Sequence, residues 1–131
     1  MSHTAQNAAI RSRFHTSWGT DPPVKYENAD FTPPANATFV ELDIVDGPQA
    51  PVSLGNTTLY RNFGIISINI YVPLNIGTAA INGYADTIAA IFRGAQFSSI
   101  SCRNVGFNTI GEIDGRFVKN VSIEFFRDEA F

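Results

Sequence analysis

Apolar residues in this chain recur first at helical spacing, then at alternating spacing, then at helical spacing again. Ile10, Phe14 and Trp18 fall at i, i+4 and i+8 and predict a helix over 3–18. Arg11, Arg13 and His15 lie off that stripe and are expected to face solvent. Ser2 or Thr4 suits the start of this helix, and Gly19, with Pro22 and Pro23 beyond, suits its end. Val24–Tyr26 is a short strand candidate, and 29–37 is a loop stiffened by Pro33 and Pro34. In 38–45, Val40, Leu42 and Ile44 alternate with Glu41 and Asp43, which predicts a half-buried strand with a solvated acidic face.

The segment 46–57 holds Gly47, Pro48, Pro51, Gly55 and Asn56 and reads as a long loop or a β-arm, with Asn56 suited to a tight turn. A long strand follows over 58–72, with Ile66, Ile68, Ile70 and Val72 on one face, a bend expected near Gly64, and Pro73 as its stop. Ile81, Tyr84, Ile88, Ile91 and Phe92 predict a second helix over 78–93, with Thr78 at its N-cap and Gly94 past its end. Residues 97–105 read as one further strand or irregular extended piece. Residues 106–113 and 116–126 flank Asp114-Gly115, a two-residue hairpin signal. Val118 falls out of step with Val121, Ile123 and Phe125, which suggests a bulge around Asn120. The expected fold is a single α+β domain over 1–131. It has two layers, a mainly antiparallel or mixed sheet with both helices on one face.

Composition narrows the function. The 131 residues carry only 16% charged side chains but 44% hydrophobic ones, including eleven Phe. A surface so poor in charge is covered by neutral polar groups or by partners, so the Phe residues fill a core or mark interfaces. The net charge of −3 gives no basic surface for holding phosphates. No apolar run is long enough to span a bilayer, and no signal peptide opens the chain, so the protein is expected to be made and used in a cytoplasm, or assembled there into something larger.

Candidate chemistry is sparse. Cys102 is a lone cysteine and reads as a small packing residue. His3 and His15, twelve residues apart, make no metal set, and no cofactor is expected. No nucleophile elbow or phosphate-cradling loop is present. Asp43, Asp46 and Asp114 could pair for acid–base work, but solvated charge is the simpler reading. Arg61, in Leu59-Tyr60-Arg61-Asn62-Phe63-Gly64, is placed to stack on an aromatic ring and fork to a carboxylate, as an interface residue or as an ordinary edge arginine.

The order of these pieces resembles the bacteriophage tail terminator-like proteins. A helix ending at Trp18 leads into Tyr26-Glu27-Asn28, Phe31 and Pro34. Arg61 and Gly64 then feed a β run ending at Tyr71-Val72-Pro73 and Gly77, followed by a helix with Ala85-Asp86 and Phe92. The resemblance covers roughly residues 10–93. It implies a virion structural protein without catalysis, a ring of six copies at the head-proximal end of the tail tube. Such a ring stops tube growth and meets the head–tail connector or stopper, while double-stranded DNA passes its bore without specific binding. On that reading some of Asp43, Asp46, Glu112 and Asp114 face the bore. Assembly contacts are expected from the loop 28–36 (Asn28, Phe31, Pro34), the arm 46–57 (Asp46, Gln49), the strand start Tyr60, Arg61 and Phe63, and the terminal Phe131. Another neck protein, a stopper or tail completion protein, is the alternative. A small-molecule-binding or enzymatic domain would need a pocket with convergent polar groups.

Overall fold

The computed structural model describes residues 2–52 and 59–130; the expected turn at Asn56 and Phe131 lie outside them. Helix α1 (His3–Trp18) starts at Ser2, whose Oγ accepts the Ala5 N–H at 3.1 Å. It ends at Gly19, where φ of +86° suits a residue without Cβ. Helix α2 (Ala79–Phe92) has Thr78 at its N-cap position, as expected, but the Thr78 side chain makes no capping hydrogen bond.

The strands are β1 (Val24–Tyr26), β2 (Phe39–Pro51), β3 (Leu59–Pro73), β4 (Gln96–Phe97), β5 (Ile100–Ile113) and β6 (Arg116–Ala130). They form one curled sheet in the order β1-β2-β3-β6-β5-β4. Only the β1–β2 pair is parallel; the rest is antiparallel. The architecture is α+β, with both helices packed against one face, as the pattern predicts. Asp114 and Gly115 both have positive φ, +49° and +75°, which makes the β5–β6 connection a type I′ hairpin.

The core lies between sheet and helices. Ile66, Ile68, Ile70 and Val72 of β3 alternate inward and meet Ile81, Ala85, Ile88 and Phe92 of α2. The Phe14 ring stacks on Trp18 at 5.5 Å and on Phe92 at 6.2 Å, which fixes α1 against α2. Of the phenylalanines, Phe14, Phe39, Phe92 and Phe125 are buried, while Phe63 and Phe107 are exposed. Cys102 is buried, and burial pushes its thiol pKa up to about 11, so it stays a neutral packing group at physiological pH.

Three expectations need correction. Residues 100–113 form one strand rather than two pieces. The bulges lie in β5, at Cys102/Val105 and Thr109/Gly111, while β6 pairs with β3 without a break from Arg116 to Ala130. Val118 is out of step because it points to the opposite face of the sheet from Val121, where it is buried opposite Tyr71. Arg13 does not face solvent freely: its Nε and Nη2 donate to the Ile91 carbonyl at 3.0 and 2.8 Å. There a cation meets the negative end of α2.

Candidate assembly surface

Both helices cover the same face of the sheet, and no helix covers the other face among the described residues. Strand alternation puts Phe39, Glu41, Asp43 and Val45 of β2 on it. They are joined by Phe63, Ile65, Ser67, Asn69 and Tyr71 of β3 and by Arg116, Val118, Asn120, Ser122, Glu124, Phe126 and Asp128 of β6. This face divides into three zones along the strands.

The middle zone is a polar ladder. Asn120 Nδ2 donates to Ser67 Oγ at 2.9 Å and to Asn69 Oδ1 at 2.8 Å, and Ser122 Oγ donates to Asn120 Oδ1 at 2.7 Å. Asn69 Nδ2 and the Tyr71 hydroxyl both donate to Glu41 Oε1 at 3.3 Å, and Lys25 Nζ lies 3.2 Å from Glu41 Oε2. The acidic face expected to be solvated is therefore half-buried and internally bonded. Burial pushes the Tyr71 pKa up to about 12, reinforced by the Glu41 charge. Burial also raises Glu41, but hydrogen bonds from Asn69, Lys25 and Tyr71 outweigh it and the net shift is downward. Asp43 is raised by burial and then by the nearby charges of Glu41 and Glu27.

These shifts act in opposite senses on stability. The lowered Glu41 stabilises the fold above its unfolded-state pKa, and that contribution is lost as pH falls through its folded value. The raised Asp43 favours folding below its unfolded-state pKa, and that contribution is lost as pH rises through its folded value. Asp43→Asn removes the second effect and leaves an amide able to donate to Glu41. Its melting temperature should exceed the wild type's at neutral pH, with the gap closing below about pH 4. A gap that is equally wide at both ends would contradict the burial of this charge.

The second zone lies at the hairpin end. Phe39 stacks on Tyr71 at 4.5 Å, Phe31 leans on Phe39 at 5.3 Å, and the Arg116 guanidinium lies 5.0 Å over the Phe39 ring. Arg116 Nη2 donates to the Pro34 carbonyl at 2.6 Å. The loop 28–36 is thus folded back onto the sheet, and Asn28 turns it with φ of +52°. Of the three loop residues expected to make contacts, Asn28 is exposed, while Phe31 and Pro34 are half-buried within the subunit.

The third zone lies at the arm end, where β2 and β3 continue past the bend at Asp46–Gln49. Arg61 does stack and fork, but with β6 rather than with its own neighbours. It donates to Asp128 at 2.8 and 3.1 Å and lies 4.2 Å over Phe126. That fork holds the Asp128 carboxyl below its ordinary range. Arg103 of β5 covers the same ring at 4.5 Å. Val45, Phe63, Ile65 and Phe126 floor an apolar trough of about 320 Å³ here. Asp46 Oδ1 lies 2.9 Å from His3 Nε2, and Gln49 Nε2 donates to Asn62 Oδ1 at 2.8 Å. Tyr60 is half-buried in β3. Of the residues singled out from the sequence, Phe31 and Pro34 lie at the hairpin end and Arg61 and Phe63 at the arm end of this face, whereas Asp46, Gln49 and Tyr60 fall on the helix-covered side by strand alternation. Sequence reasoning missed Arg103, Arg116, Phe126 and Asp128, whose roles depend on strand register. Among the described residues, no group of three or more His, Cys, Asp or Glu side chains could hold a metal ion.

The face of the sheet away from the helices thus carries a bonded polar ladder between two more apolar ends. The sequence profile described as "Phage tail terminator protein" matches residues 6–115. The chain belongs to the phage tail terminator family. It is thus a structural protein of a phage tail. No curated protein sequence matches the chain. One solved structure, which bears no functional name, shares the fold with a TM-score of 0.62 at 20% identity. The match covers 90% of this chain and 92% of that one. The family match spans both helices and the sheet through β5, including the loop 28–36, the start of β3 and Arg103. It stops at the β5–β6 turn, so Phe126 and Asp128 lie beyond it.

Proposed function

We propose that this chain, as a single domain, forms a six-subunit ring at the head-proximal end of the tail tube. There it ends tube polymerisation and offers its outer surface to the head–tail connector. The family match over residues 6–115 carries the reading. The uncovered sheet face supports it, with exposed Val45, Phe63 and Ile65 where a neighbouring protein can bury them. Of the four acids considered for the bore, Asp43 is half-buried in the polar ladder and Asp46 is bonded to His3. Glu112 and Asp114 remain exposed at the hairpin end and are the residues proposed to face passing DNA.

Location is the direct test. A gold label on a tagged copy of this chain should mark one end of purified tails, the end that joins heads. Label along the tube or at the distal tip would overturn the proposal.

A further inference from the structure

Both edges of the sheet leave strand surface unpaired. On one side β4 covers only Ile100 and Ser101 of β5, and the Ala95 carbonyl accepts the Cys102 N–H at 2.8 Å. Beyond that point no described strand meets the outer edge of β5. Bulges at Cys102/Val105 and Thr109/Gly111 leave one regular run between them, residues 105–109. That run has no proline and no charged residue, although edges are normally blunted by such residues. Its Val105, Phe107 and Thr109 lie on the helix-covered side, and Phe107 is 45% exposed. On the opposite side β1 is outermost, and no described strand meets its outer edge. Where β1 meets α1 there is a shallow hollow of about 350 Å³, lined by Arg11, Ser12, His15, Tyr26, Glu27 and Ala29.

β1 runs parallel to β2, and β2, β3, β6 and β5 alternate in direction, so β1 is antiparallel to β5. The β1 of a second copy placed beside β5 therefore extends the sheet as an antiparallel pair. Such a contact joins two different patches of the same chain and repeats head-to-tail, which is the geometry that closes rings. Register sets which residues meet. Three successive rungs run Tyr26–Leu42–Ile68–Val121–Phe107, Lys25–Glu41–Asn69–Asn120–Asn108 and Val24–Val40–Ile70–Lys119–Thr109 across the sheet. Rotation about an axis parallel to the strands preserves height. Tyr26 of one copy thus comes level with Phe107 of the next, Lys25 with Asn108, and Val24 with Thr109. Each pair also shares a side of the sheet. Val24 and Tyr26 pack toward the core, on the same side as Phe107 and Thr109, while Lys25 and Asn108 lie on the other. All three levels fall within 105–109, the run free of bulges. The chain turns at Glu27 and Asn28, so the added strand ends before the level of β4.

Resting on the ring reading above, we infer that the β5 edge of one subunit pairs with β1 of the next and seats Phe107 against Tyr26, in the hollow beside α1. The two surfaces match in chemistry as well as in level. Phe107 is an exposed ring with apolar surface to bury, and the hollow offers it the Tyr26 ring and the Arg11 guanidinium, both suited to an aromatic partner. On the other side of the sheet Lys25 meets the Asn108 amide, whose oxygen can accept from the ammonium. Because 105–109 carries no charge, no like charges face each other across this pairing.

Crosslinking tests the register. Directly opposite residues of antiparallel strands hold their Cβ atoms about 5 Å apart. The full chain carrying Lys25→Cys and Asn108→Cys, treated with a short thiol crosslinker in solution and on purified tails, should give a ladder of linked copies. Cys102 is buried and does not compete. Phe107→Asp should weaken association roughly tenfold or more in sedimentation of the full chain, with the melting temperature unchanged. Should that variant lose stability, Thr109→Arg serves instead, setting a charge against Val24 with the same expected loss. Tails that carry several copies by label count, yet give no crosslinked ladder or keep their copies in the Phe107→Asp or Thr109→Arg variant, would overturn this contact and leave the ring intact. A wild-type chain that is monomeric both in solution and on tails would overturn the ring itself, and this contact with it.

Discussion

Gly64→Ala should destabilise the fold by about 2–3 kcal/mol, the cost of forcing extra volume into a packed site. A Cβ at Gly64 would lie 2.5 Å from Phe125 Cζ and 2.7 Å from Cε1. Real Cβ atoms do not approach other atoms that closely, so either the ring or the strand must move. Neither is free to do so: Phe125 is 2% exposed within the core, and the Val45 carbonyl also stands 3.1 Å from the same point. Gly64 is thus required for close approach, and not for an unusual backbone angle. Denaturant unfolding of the single variant measures the cost. Phe125→Leu in the Gly64→Ala background should recover part of it, because the smaller side chain vacates the contested space. A loss under about 0.5 kcal/mol for Gly64→Ala would show that the ring can move aside.

Arg127→Ala should cost ~2–4 kcal/mol, because it strands polar groups where water does not reach. Arg127 is only 4% exposed and lies on the helix-covered side of β6, in line with Phe125. Its Nε donates to Gln6 Oε1 of α1 at 2.5 Å, and its Nη1 donates to Glu129 Oε2 at 2.8 Å. Gln6 is itself 3% exposed, so losing the arginine leaves a buried amide oxygen without that donor. Arg127→Lys should rescue little, since an ammonium lacks the planar fork. Pairing Arg127→Met with Gln6→Leu should recover most of the loss by replacing the polar contact with an apolar one. Equal stability of the wild type and Arg127→Ala would mean that α1 does not depend on this tie.

Both sites show where sequence could be read and where it could not. The helices and β3 were legible because their apolar residues hold one period over many turns or rungs. The Asp114-Gly115 turn was legible because few residue pairs tolerate positive φ twice. Gln6 and Arg127 gave no such signal, since a polar residue on a buried stripe looks like any surface residue until its partner is placed. β5 was hard to read because Gly106, Asn108 and Gly111 interrupt its alternation and two bulges shift its faces. Val118 misled for a related reason: β6 buries residues on both faces, so a change of face imitates a bulge. The assembly residues were legible by type but not by partner. Arg61 was recognised as an arginine fit to stack and fork, yet its ring and its carboxylate come from β6, far away in sequence.

The most direct test of the account is electron microscopy of a lysate from a phage carrying a stop codon early in this gene. Tails much longer than normal, without heads, are the predicted result, because a tube lacking its terminator keeps growing. Tails of normal length that fail to join heads would contradict termination and move the chain to the neck. Wholly normal virions would contradict any structural role for it in the particle.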